Sequence, residues 1–403
     1  MTAFQERTAT PFSEIRDRLG ERYALAQVTL ADLETDTNAV LRRLRDESPV
    51  AVCAELEALL VLRWADVQTV ISRSDLFRSD QPDSFLTRFV GPNMLHSEGQ
   101  EHHAARSVVL PAFRAADPRL PAEVDRRYAE LRGSPRNGTP CDLAREFCVP
   151  LVAQATINLL GCEESVTPAQ MDRWGPLVSK GAFDFHEFGA ARDDVDGVRA
   201  EIAAMVAEYV TGKRRARPDT VLGCLAKASS SLDETRRMIE FMIIGADAGP
   251  REGLSTVLAC VLTADSELRG RLVDSPALRQ SFVDEALRWE SPIGGITREA
   301  RVDTELSGVV IERGTRVIGV LSSANRDPLR WPDGDTFVAD RGDRAHLSFG
   351  AGMHGCIGAA LSRRLADAMV LAVASDPAVR PHSVPEYRGW WYRGPAAVLA
   401  SWN

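Results

Sequence analysis

In "TNAVLRRLRDESPV" the apolar residues Val40, Leu41 and Leu44 return at three- and four-residue steps among arginines and acids. That period predicts an amphipathic helix, ended at Ser48-Pro49 because proline cannot continue it. The alternation in "ELEALLVLRW" predicts a pair of short strands near the start of the chain. From Pro121 to Val273 nearly every segment has helical spacing, broken by turns such as "RGSPRNGTP". "EIAAMVAEYVTGKRRARPD" is one such helix, running into a basic last turn. The period changes in "VDTELSGVVIERGTRVIGVLSSANRD", which is β-rich with turns at Ser307-Gly308 and Arg313-Gly314. No repeat, low-complexity tract or linker divides the chain. The pattern predicts one mainly α domain with a small β portion, spanning residues 1–403.

Composition narrows the partners. The 403 residues suffice for a large core, with 44% hydrophobic and 26% charged residues. A net charge of -9, with no basic tail or lysine stripe, argues against nucleic acid. The opening "MTAFQERTATPFSEIRDRLG" has no apolar signal core, and no run approaches the roughly 18 apolar residues that span a bilayer. Seven scattered cysteines without a CxxC pair fit a reducing compartment. A cytoplasmic protein without membrane contact is expected, and a monomer.

One cysteine stands apart. In "HLSFGAGMHGCIGAALSRRLADAMVLAVA" Cys356 follows a glycine-rich loop and precedes an apolar helix. The loop, Phe349-Gly350-Ala351-Gly352-Met353-His354-Gly355-Cys356-Ile357-Gly358, lacks the Lys-Ser/Thr pair of a phosphate cradle. Its glycines let backbone approach something flat and bulky, and free amides to donate to the sulfur. Such donors, with the N-terminal end of the following helix, favour thiolate over thiol and tune a bound metal. His354 is placed to face an anionic group.

The complete pattern Phe-x-x-Gly-x-x-x-Cys-x-Gly resembles the cytochrome P450 superfamily, in which a cysteine thiolate holds haem iron. Three more stretches match in order. "DEALRWESP" carries Glu285 and Arg288 as the Glu-x-x-Arg of the family's K helix. "DTFVADRGDRAHLSFG" resembles the meander, with Arg341 the third member of a structural clamp. "EGQEHHAARSVVLPAF" resembles the start of the C helix, with His102 and Arg106 four apart on one face. The resemblance implies the cytochrome P450 fold, a triangular helical prism around a long central I helix. It implies haem b, with Cys356 as metal ligand, Phe349 and Gly350 in its loop, and His102, Arg106, Arg298 and His354 on the propionates.

The I helix departs from the family. In "RRMIEFMIIGADAGPREGLSTVLACVL", Ala248-Gly249 match the kink, but Pro250, Arg251 and Glu252 follow, so the usual acid-alcohol pair is missing. Pro250 should open the helix locally. Asp247, Ser255 and Thr256 are the polar residues of an alternative register. Two roles stay open. Glu252 or Asp247 relays protons in an oxygen- and electron-dependent monooxygenase, or Arg251 anchors a substrate carboxylate, as in the peroxide-using peroxygenase branch. That branch has proline directly after the arginine; here Pro250 precedes it. A haem-thiolate protein that senses or sequesters without turnover is a third reading.

The resemblance also places the pocket. Ala248, Gly249, Ile293 and Gly294, with Trp390 and Trp391 of the C-terminal hairpin, would contact substrate, and Phe183, Phe185 and Phe188 would cap it. These aromatics point to a compact apolar or aromatic substrate, for hydroxylation, O-demethylation or a related natural-product tailoring oxidation. The "RGP" near the end resembles O-demethylases of small methoxylated aromatics. Without a flavin or iron-sulfur segment, electrons would come from a ferredoxin or reductase docking near Arg363 and Arg364.

Overall fold

The computed structural model describes residues 11–81, 84–115, 118–136, 138–183, 192–342 and 345–402. Phe185 and Phe188 lie outside these, and Phe183 enters only as the last residue of a helix. Helix Thr37–Glu47 forms as its spacing predicts. The Asp36 side chain caps it by accepting from Ala39 N, and it ends at Ser48, before Pro49. Leu41 and Leu44 face the core, and Arg45 is buried beside them, donating to Ser323 O at 3.1 Å.

The expected strand pair needs correction. Only Ala58–Val61 comes from "ELEALLVLRW"; its partner is Val50–Cys53, directly after the helix, and Trp64 already opens helix Trp64–Ser72. All eight strand residues are buried, so they carry no alternation to mark where each strand begins. Glu57 turns the chain between them at φ 47°.

These strands start a five-stranded sheet ordered 50–53, 58–61, 316–320, 295–300, 77–78. Every pairing is antiparallel except Leu59–Val61 against Val317–Gly319. The expected β-rich segment supplies strand Arg316–Val320 and the small hairpin Thr304–Leu306/Val309–Ile311, which turns at Ser307-Gly308 with both residues at positive φ. The segment then becomes a helical turn, Leu321–Ala324.

The helical body surrounds Ala248–Thr263, whose residues from Gly253 to Leu262 are all buried. A helix apolar on every side is covered on every side. Leu254, Val257, Leu258 and Val261 share one core with Phe282, Val283 and Ala286 of helix Pro276–Trp289, and with Met369, Val370 and Val373 of helix Ala359–Ala374. The preceding helix, Leu232–Ala246, packs in a second core with Trp174 and Val178 of helix Pro168–Phe183. Among the described residues, no helix is long and apolar enough to cross a membrane.

The break between these two consecutive helices falls at Asp247 (φ -91°, ψ -93°), not at Pro250 as expected. Proline has no N–H for the carbonyl four residues back, Ala246, and its ring clashes with it. The distortion therefore appears upstream, while Pro250 sits within the first turn of the new helix, where no partner for its nitrogen is needed.

Candidate functional site

Helix Pro276–Trp289 builds the base of the site. Ser275 caps it, and one turn from its end Glu285 and Arg288 meet, both buried. Arg288 donates from Nε to Glu285 Oε2 at 2.7 Å and from Nη2 to Oε1 at 2.8 Å. Its remaining donors reach the carbonyls of Asn325 and Gly334, each at 2.7 Å, and Thr336 at 3.1 Å. Arg341 Nε and Val338 N complete Glu285 Oε1 at 2.9 and 2.8 Å. The three residues named from the sequence thus meet, and they gather the strand of chain leading to the cysteine loop. Asn325 continues the link: its amide oxygen accepts from Leu347 N, and its NH2 donates to Ser348 Oγ.

A second buried junction had no local signature. Glu290 accepts from Arg326 Nη2, Arg393 Nε and Asn38 Nδ2, at 2.6–2.9 Å, tying helix Thr37–Glu47 and the C-terminal hairpin to the end of the same helix.

The cysteine loop is set by backbone. Gly350 and Gly352 adopt φ 67° and 68°, and a Cβ on Gly352 would stand 2.9 Å from Ser72 Cα, so side chains are excluded there twice over. Cys356 N donates to Phe349 O at 2.8 Å. Of the seven cysteines Cys356 alone is exposed. The crowded loop pushes its thiol up, while the amides of Gly358 and Ala359 and the guanidinium groups of Arg106 and Arg363 pull it down.

His102 and Arg106 do lie on one face of helix Gly99–Arg114 and both touch this loop. His102 Nε2 bonds Met353 O at 3.1 Å, and Arg106 Nη2 donates to Gly355 O at 2.8 Å. The His102 and His354 rings stack edge-on at 4.3 Å. Arg298 is 4% exposed, donates only to Thr297 O among the described residues, and is pushed down to about 10 by burial. His354 Nε2 bonds Ser79 Oγ at 2.8 Å, but its buried Nδ1 has no partner among the described residues. Burial and the nearby Arg298, His102, His96 and Arg106 push it down to about 3. His96, pushed down to about 4 by burial and Arg298, belongs to the same group, and sequence reasoning missed it. No motif marks it; only the fold brings it there. The nearest carboxylate, Glu98, is taken by Arg301 and by Ser79 N.

Three histidines and two arginines therefore crowd beside the cysteine loop, and with His354 and His96 neutral near pH 7 the standing charge there is that of the guanidinium groups of Arg298 and Arg106. Among the described residues no carboxylate is left free beside them, and buried guanidinium charge is costly unless a group with carboxylates neutralises it. The donor set, one accessible thiol and a dry cationic edge, fits a haem with two propionates. Arg298→Leu is expected to divide two properties: the apoprotein should melt higher, because an uncompensated buried charge is gone, while haem should leave faster to a scavenging globin. Faster melting of the apoprotein would show that Arg298 already has its counter-charge.

Above this, the segment after helix Pro276–Trp289 joins loop to break. A Cβ on Gly249 would touch Ile293 Cδ1 at 3.1 Å, and one on Gly350 would touch Ile296 Cδ1 at 3.5 Å. Ile293 bridges Tyr392, and Gly294 backs directly on Trp390 O. Trp391 is partly buried at this junction, whereas Trp390 is not a pocket residue: its indole is buried among Leu41, Leu44, Leu60 and Ile318, where it packs the core. Ala248 to Glu252 all keep accessible surface, unlike the ten residues after them.

At the break the polar residues separate. Asp247 is buried; its Oδ2 accepts from Ser179 Oγ at 3.1 Å and its Oδ1 pairs with Arg251 Nε at 2.7 Å. Arg251 Nη2 also pairs with Asp172 at 2.9 Å. Arg251 is thus held by two carboxylates of the protein, which corrects the reading that leaves it free for a substrate's. Burial pushes Asp247 up, against the pull of Arg251 and Ser179. Glu252 lies against Gly394 of the hairpin, where a Cβ would collide with its Oε2. Burial pushes it up to about 6, and no hydrogen-bond partner for it appears among the described residues. Ser255 and Thr256, the alternative register, lie in the buried run.

Arg363, expected on a docking surface, donates to Asp284 at 2.6 Å and covers the Phe349 ring at 4.4 Å, with its side chain 39% exposed. Arg364 is exposed at the mouth of a cavity of about 310 Å³, lined also by Phe113, Arg119, Arg217 and Leu361.

Comparison with known proteins bears on this geometry. Residues 273–372 match the family model described as cytochrome P450. The chain is 30% identical over 290 residues to cytochrome P450 107B1 of Saccharopolyspora erythraea, covering 68% of this chain and 67% of that one. It is 28% identical over 367 residues to the mycinamicin IV hydroxylase/epoxidase of Micromonospora griseorubida, covering 86% and 90%. Its fold is similar to a solved cytochrome P450 of Chondromyces apiculatus, with TM-score 0.79 at 21% identity over 94% of this chain and 98% of that one.

Proposed function

The chain belongs to the cytochrome P450 family of haem-dependent monooxygenases, and we propose that it oxidises a compact apolar or aromatic small molecule, as a hydroxylation, O-demethylation or related natural-product tailoring step. The carrying observation is the pairing of one accessible cysteine in a glycine loop with an accessible, broken stretch of the central helix, joined through Ile293 and Ile296. The similarity to a mycinamicin hydroxylase/epoxidase supports the tailoring class.

Cys356 would hold the iron, with Arg106, Arg298, His102 and His354 at the propionates. A thiolate-held haem, when bound, supplies reductive activation of dioxygen and favours O–O cleavage. The protein must deliver protons there and keep bulk water out. Asp247 is spoken for by Ser179 and Arg251, whereas Glu252 has no hydrogen-bond partner among the described residues and exchanges its proton at about pH 6. A general acid works best with such a value, so Glu252 takes the relay in place of the missing acid-alcohol pair. The occupied Arg251 weakens the peroxygenase reading, and a titratable group poised at the break weakens a purely sensing role. Electrons would come from a ferredoxin or reductase seated by the exposed Arg364.

Glu252→Gln should lower product per electron by about tenfold and raise peroxide release, with substrate binding nearly unchanged. Because Glu252 loses its proton as pH rises through about 6, wild-type coupling should decline from pH 6 to pH 8 while the variant stays flat. Equal coupling in both proteins would remove Glu252 from the relay.

A further inference from the structure

Helix Pro168–Phe183 meets the helix break through one stripe. Asp172, Gly175 and Ser179 recur at three- and four-residue steps, so they share a face. Asp172 pairs with Arg251, and Ser179 donates to Asp247. Gly175 lets the helices come this close, since a Cβ there would stand 2.4 Å from Asp247 Oδ1. Two carboxylates, Asp172 and Asp247, then hold one guanidinium, Arg251, the only cation within ion-pair distance of them among the described residues, and the Glu252 carboxyl is the next group along the chain. With all ionised, the local sum is -2; with Glu252 protonated it is -1.

Asp172 differs from its neighbours. Asp247 is buried and doubly held, but the Asp172 side chain is half-exposed and touches the site only through Arg251. An ion pair to so exposed a carboxylate adds little to folding stability. Its effect on Arg251 is larger, because the Nη2 donor, otherwise open to a second carboxylate, already carries a counter-charge.

Resting on the monooxygenase reading above, we propose that Asp172 is a specificity-determining residue: by occupying Arg251 from the neighbouring helix it turns carboxylate-bearing molecules away and reserves the cleft for neutral or cationic substrates. Discrimination of this kind comes from a repulsive element as much as from an attractive one.

The experiment uses the full-length, haem-loaded protein and matched ligands, 4-ethylbenzoate against 4-ethylbenzyl alcohol, read by calorimetry and by Soret shift. The wild type should bind the alcohol and prefer it. Asp172→Asn should raise benzoate affinity about tenfold relative to the alcohol, the size of one charge-assisted contact. Asp172→Glu should restore the wild-type ratio, and adding Arg251→Leu to Asp172→Asn should abolish the gain. A ratio unchanged in Asp172→Asn, with the alcohol still bound, overturns the role of Asp172 and leaves the monooxygenase reading standing. A wild type that shows no shift and no turnover with any neutral or cationic small molecule overturns both.

Discussion

Cys356→Ala should abolish the absorption of the reduced carbonyl complex at about 450 nm, and with it substrate oxidation. The wild type, reduced under carbon monoxide, should show that band with one haem b per chain. The expectation rests on position as well as motif. Six of the seven cysteines are buried, and burial pushes Cys141, Cys148, Cys162 and Cys260 each up to about 12, where a thiolate is inaccessible near neutral pH. Cys356 is the exposed one, with the amides of Gly358 and Ala359 directed at its sulfur. The substitution takes no packing from a core, so the variant should fold, and its far-ultraviolet dichroism should match the wild type. A band that survives in Cys356→Ala would assign the iron to another ligand and undo the site. As a control, Cys260→Ala should keep the band, since Cys260 only packs the central helix.

What could be read in the sequence was local. The cysteine loop, the Glu285–Arg288 turn and the His102–Arg106 face each lie within about one turn or loop of chain, where spacing fixes geometry. The amphipathic helix at 37–47 was legible for the same reason. The strand at 50–53 was not, because a short, fully buried run has no alternation to separate it from the helix before it.

The central helix shows where local reading ends. Arg251 looks free in sequence, since its second partner, Asp172, lies on another helix 79 positions away and its hold depends on Gly175 allowing contact. His96 is likewise a lone histidine until the fold sets it beside Arg298. Trp390 errs the other way: an aromatic in the hairpin suggests a pocket wall, but the two sides of a hairpin face different neighbours, and its side chain meets the N-terminal core. Departures from a family's pattern are where tertiary partners decide the role, and those partners are what one sequence withholds.

Arg288→Leu should cost more than any other single change considered. The residue is 1% exposed and all its guanidinium donors are used, two on Glu285 and three on the carbonyls of Asn325, Gly334 and Thr336. Leucine would leave Glu285 Oε1 with Arg341 and Val338 N and strip Oε2 of its partner, at about 3–5 kcal/mol for a broken buried pair. The carbonyls of Asn325 and Gly334 would also lose their donor, at about 1–3 kcal/mol for each that stays dry, while Thr336 O keeps Arg341 Nη2. Against a total stability of about 5–15 kcal/mol, that loss should remove most soluble protein or leave it unable to retain haem. Arg341→Leu should be milder, because Arg341 lies nearer the surface and Arg288 still holds both Glu285 oxygens. The double change Glu285→Leu with Arg288→Leu separates the two costs. If the ion pair alone mattered, removing both charges would restore stability; because the carbonyls tether the approach to the cysteine loop, the double variant should recover only part of it. Haem content and the denaturant midpoint of the apoprotein read the result. A single Arg288→Leu protein with the wild-type midpoint and full haem would mean that water satisfies these groups and that the clamp does not carry the loop.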